Sequence, residues 1–149
     1  MLVSEVVAEL GGVARRMDLE RYGCSADQIY LAVNYRNVIK VRRGVYASTG
    51  TSPLIVRALR VGGRLACLSA LEYYGLAEPQ PHIHVEVKAN ASRLRIEQRG
   101  VVVHWTRLPQ KGSPLVVSPD RARVQTLTCR DELHLDEHRR VEKRQYVQQ

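Results

Sequence analysis

A chain of 149 residues with 44% apolar and 26% charged side chains can bury a sizeable core, and that composition excludes wholesale disorder. No apolar run approaches the ~20 residues a membrane span requires, and residues 1–10 carry Glu5 and Glu9 where a secretory leader would be basic. Twenty-three Lys and Arg against 15 Asp and Glu give a net charge of +8, which points to a polyanionic partner, nucleic acid before membrane surface. Cys24, Cys67 and Cys129 are widely spaced, odd in number and without a CxxC pair, the pattern of reduced thiols in a cytoplasmic protein.

In chain order, residues 4–10 predict a short helix stopped by Gly11-Gly12, and residues 13–22 a second helix ended by Gly23. Ser25-Ala26-Asp27-Gln28 is a capping-box pattern and opens a third helix to Tyr35 or Arg36, with Asn37 as its left-handed stop. Helix, short Gly-containing turn, helix is helix-turn-helix spacing. Residues 38–47 alternate apolar and basic side chains around Gly44 and predict a β-hairpin, or wing. A polar hinge at 48–53 leads to helices at 54–61 and 65–74, then strands at 82–88 and 101–105. Ser118-Pro119 starts a last helix that runs into a charge-dense segment. The expectation is an α+β protein: a winged helix-turn-helix on residues 1–47, a small mixed α/β domain on 53–118, and a charged helix or tail on 119–149.

On the third helix, Ile29, Ala32, Val33 and Arg36 share one side at 100° per residue. Asp27, Tyr30, Leu31 and Asn34 face the other way, flanked by Gln28 and Tyr35. An apolar stripe opposite a polar and aromatic one suits a helix that enters a major groove. Asn34 and Gln28 can pair with adenine, Tyr30 can reach phosphate or a thymine methyl, and Ser25, Leu31 and Tyr35 complete the candidate face. Lys40, Arg42 and Arg43 in the wing would touch phosphates or the minor groove. Arg93, Arg95, Arg99 and Arg107 could extend the footprint.

The run Arg42-Arg43-Gly44-Val45-Tyr46-Ala47 behind a small helix-turn-helix resembles the AbiEi-type antitoxins of abortive-infection systems. So does Arg64-Leu65-Ala66-Cys67-Leu68-Ser69-Ala70-Leu71, followed by Tyr74-Gly75-Leu76. The resemblance spans about residues 3–118. It implies a winged helix that binds operator DNA and represses its own operon, and a second domain that counters a nucleotidyltransferase-like toxin. Residues 121–144 depart from the Leu-rich helix of such relatives. The chain is therefore expected to be a sequence-specific repressor that binds double-stranded DNA, as monomer or homodimer, with a cognate toxin as a further partner. The alternative is a protein–protein module that neutralises a toxin or tethers a nuclease.

Other chemistry finds little support in the sequence. Glu86-Val87-Lys88 on a strand has the Glu-x-Lys form of restriction-type nucleases, but no Asp lies between Asp27 and Asp120 to complete a metal site. Alternation of Ile83, Val85 and Val87 with His84, Glu86 and Lys88 reads as a strand with one buried face and one exposed. His82, His84 and His104 could converge, yet their spacing matches no familiar zinc pattern and no Cys is near in sequence. His134 and His138 lie four apart in a context wrong for a zinc hydrolase. Cys67 reads as core filler. No catalytic residue, cofactor or metal is expected.

Overall fold

The computed structural model describes residues 1–89 and 100–129. Among them the chain is α+β, with six helices and two three-stranded sheets. The first half runs α1 (Val3–Glu9), β1 (Val13–Arg15), α2 (Arg16–Arg21), α3 (Ala26–Asn34), β2 (Val38–Arg42) and β3 (Val45–Ser48). The second runs α4 (Pro53–Val61), β4 (Arg64–Leu65), α5 (Cys67–Tyr73), β5 (Ile83–Lys88), β6 (Val101–Thr106) and α6 (Pro119–Leu127).

The helix expected over 13–22 is in fact strand and then helix. Val13, Ala14 and Arg15 pair antiparallel with Ala47, Tyr46 and Val45 of β3, and only then does α2 begin. Three residues are too few to show a period of two, so the strand was invisible to patterning. The first sheet has order β1-β3-β2, and β2 pairs with β3 through a two-residue tip, Arg43-Gly44, with Gly44 at φ 75°. The stop of α3 also differs by one residue: Arg36, not Asn37, takes the left-handed conformation at φ 58°. The amide of Arg36 donates to Val33 O and that of Asn37 to Ala32 O, which satisfies two terminal carbonyls.

Each strand of the hairpin serves two cores. Val38 and Tyr46 join Val3, Val6, Val7, Ala14, Leu19, Cys24, Ile29 and Ala32 beneath the first three helices. Val41, Val45 and Ala47 point the other way, into a larger core with Ile55, Ala58, Leu59, Leu65, Leu68 and Val85. Strand alternation makes this possible, since successive side chains leave opposite faces. Two side chains tie the hairpin to α4 as well: Arg42 Nε donates to Leu59 O at 3.2 Å, and Arg60 Nε donates to Val41 O at 3.1 Å.

The second sheet has order β4-β5-β6. The helix expected over 65–74 begins only at Cys67, because Arg64 and Leu65 pair antiparallel with Glu86 and Val85. Gly63 permits that pairing. A Cβ there would lie 2.2 Å from the carbonyl oxygen of Glu86 and 2.7 Å from Val85 Cγ1. β5 and β6 run parallel, in register from Ile83 opposite Val101 to Lys88 opposite Thr106. The expectation that β5 has one exposed face is corrected here. Ile83, His84, Val85, Glu86 and Val87 are all buried, because α6 covers the face that carries His84 and Glu86.

Candidate nucleic-acid interface and a buried thiol–imidazole cluster

α3 is capped as its sequence requires. Ser25 Oγ accepts from the amide of Gln28 at 3.1 Å, and Gln28 Oε1 accepts from the amide of Ser25 at 2.8 Å. Ile29 and Ala32 anchor the helix in the first core, and Val33 packs at its margin. That leaves Ser25, Asp27, Gln28, Tyr30, Leu31, Asn34 and Tyr35 exposed together, with Tyr30 at 65% and Tyr35 at 74% of full exposure. Arg36, expected on the buried side, is exposed because it has left the helical conformation. Lys40 and Arg43 are exposed on the hairpin, Arg43 at its tip. Arg42 is half-buried and spends its Nε on α4, so the three wing cations are not equivalent. Arg107 is exposed after β6, whereas Arg93, Arg95 and Arg99 lie outside the described residues, as do His134 and His138.

A shallow groove of about 270 Å³ separates the start of α1 from α3, bounded by Leu2, Gln28, Leu31 and Tyr35. The cations at the end of β1 and on α2 are paired with acids. Arg16 meets Glu20 at 3.0 Å, and Arg15 and Arg21 flank Asp18 at 3.4 and 3.7 Å. The hydrogen bond to Glu20 holds the Arg16 guanidinium above its ordinary pKa.

A second constellation lies under α6. Glu86 is fully buried, and both its oxygens are engaged. Arg64 Nε donates to Oε2 at 2.5 Å, and Arg121 Nε donates to Oε1 at 2.6 Å. The Gln125 amide adds 3.1 Å to Oε1 and Gln110 adds 3.4 Å to Oε2. Arg64 itself is buried and also donates to the carbonyls of Lys111 and Ser113. A carboxylate surrounded in this way is held as an ion-pair anchor between β4, β5 and α6.

Two residues back along β5, four ligand atoms come together from four segments of the chain. Cys67 starts α5, His84 lies on β5, His104 on β6, and Cys129 follows α6. All four atoms lie within 4.8 Å of one another. His84 Nδ1 and His104 Nε2 are 3.2 Å apart, and Cys129 Sγ is 3.5 Å from the first and 3.6 Å from the second. Cys67, His84 and Cys129 are buried and His104 partly so. The backbone at Cys67 is strained, with φ 50° in a residue that has a Cβ, a conformation that costs about 1–3 kcal/mol. It turns the chain sharply from β4 into α5, and Gln125 Oε1 accepts from the Cys67 amide at 2.9 Å to hold the turn. Gln125 therefore links this cluster to the Glu86 network through its two ends.

No protein-family model matches this chain, and no curated protein matches it.

The pairing of His84 with His104 was foreseeable from two alternating strands, but His82 sits just before β5 and does not join them. The part played by Cys67 and Cys129 was missed. They stand 62 positions apart, with steps of 17, 20 and 25 positions between successive cluster members, far from any local motif. Only the parallel register of β5 and β6, and the return of α6 across them, brings the four together. Cys67 is buried in the larger core, as core filler would be, and its sulfur also lies within 4.8 Å of both imidazoles.

Proposed function

We propose that residues 1–47 form a winged helix-turn-helix that binds double-stranded DNA, and that the chain is a sequence-specific repressor of the kind the AbiEi resemblance implies. The order helix–strand–helix–helix–hairpin, with the short first strand paired to the hairpin, is compatible with that architecture. The observation that carries the reading is the exposed face of α3. Two core residues pin the helix while Gln28, Tyr30, Asn34 and Tyr35 stay uncovered, and the hairpin that follows α3 in the chain carries exposed Lys40 and Arg43. Amide and phenol groups of this kind read base edges and phosphates, and Lys40 with Arg43 supplies sequence-independent attraction to the backbone. The net charge of +8 favours the encounter.

In this reading α2 crosses the DNA backbone, α3 enters the major groove, and the hairpin tip follows the adjacent phosphates. The reading assigns no catalytic step. The part of the chain from residue 53 onward would carry any action against a cognate toxin. A protein–protein role for α3 has one observation in its favour: Leu2, Leu31 and Tyr35 give its groove an apolar rim. A nuclease-protection footprint over the DNA upstream of the chain's own gene tests the proposal. A protected, sequence-defined site supports it, and uniform cleavage at saturating protein contradicts it.

A further inference from the structure

We propose that Cys67, His84, His104 and Cys129 bind one Zn²⁺ ion as a closed structural site that locks α5, β5, β6 and the end of α6 together. The donor set decides the metal. Two thiolates and two imidazoles suit zinc in tetrahedral geometry, whereas magnesium and calcium demand oxygen ligands.

The spacings agree with that geometry. Zinc–nitrogen bonds of about 2.0–2.1 Å and zinc–sulfur bonds of about 2.3 Å place tetrahedral neighbours roughly 3.3 Å apart for two nitrogens and 3.6 Å for nitrogen and sulfur. The corresponding separations here are 3.2 Å between His84 Nδ1 and His104 Nε2, and 3.5 and 3.6 Å from these to Cys129 Sγ. Cys67 Sγ completes the set within 4.8 Å of the other three atoms. Charge agrees as well. Each thiol releases its proton to solvent on ligation, so two thiolates balance the dication and the buried site is neutral. Four protein ligands leave no open position for substrate or water, which assigns the ion to the fold and not to a reaction. The strained turn at Cys67 then has a use, because it delivers one sulfur to the two imidazoles.

The test uses the full chain with any affinity tag removed, and measures metal by mass spectrometry after dialysis without chelator. About one zinc ion per chain is expected, and addition of Zn²⁺ to the reduced, metal-stripped chain should release about two protons per ion bound. The Cys129→Ser and Cys67→Ser variants should lose the zinc. If those variants fail to fold, Co²⁺ added to the stripped wild-type chain provides the second measurement: thiolate-to-cobalt charge transfer and intense tetrahedral d–d bands are expected. Zinc that persists in a folded Cys129→Ser variant overturns the assignment. So does a wild-type chain that takes up neither zinc nor cobalt.

Discussion

Glu86 illustrates how far a single side chain's environment can depart from its sequence context. Its buried carboxylate lies between two guanidiniums, which supply its counter-charge, and two glutamine amides add to them. Glu86→Ala leaves Arg64 buried without its counter-charge, and the cost should be about 3–5 kcal/mol in a denaturant unfolding curve. Arg121→Ala should cost less, because that guanidinium is partly solvated. Tyr74 offers a check by pH. Burial, with the neighbouring Tyr73 adding to it, raises its phenol pKa, and its hydroxyl donates to Val117 O at 2.8 Å. The folded state thus holds the proton more tightly than the unfolded chain. Stability should be full below the ordinary phenol pKa of about 10 and fall as pH rises through the higher folded value. Melting temperatures of Tyr74→Phe should lack that alkaline decline. At this scale the sequence misleads for a physical reason. Alternation shows that His84 and Glu86 share a face, but a polar face can be buried when other elements bring partners to it, and those side-chain partners are 20 and more residues away.

Elements were more readable than residues. The capping box of α3, the Ser-Pro start of α6 and the glycine at the hairpin tip are local devices, and each appears where its residues stand. The short strands β1 and β4 were not readable, because two or three residues pair only when the partner strand is already placed. Gly63 marks the second of these. Gly63→Ala sets a Cβ against the Glu86 carbonyl, so backbone must move, and a loss of about 1–3 kcal/mol or more is expected in thermal unfolding. For the hairpin, Lys40→Ala and Arg43→Ala should each flatten the dependence of log affinity on log salt for duplex DNA by about 0.9. Arg42→Ala differs in kind. It frees the carbonyl of Leu59 and should lower stability as well as DNA affinity, measured by denaturation beside anisotropy titrations.

For the whole molecule, the shared hairpin is the organising feature. β3 sends Tyr46 into one core and Val45 and Ala47 into the other, so neither core can open without disturbing the strand that serves both. The division into parts near residue 48 follows chain composition, whereas the packing runs across it. No described helix is long and apolar enough to cross a membrane. The proposed reading of DNA sequence by the uncovered face of α3 is tested most directly by a competition binding assay with the full chain, comparing a footprinted duplex with a scrambled duplex of equal length. Tyr30→Ala and Asn34→Ala should each erase about 1–3 kcal/mol of preference for the footprinted duplex while affinity for the scrambled one is kept. Equal binding of both duplexes by the parent chain, or an undiminished preference in both variants, would contradict it.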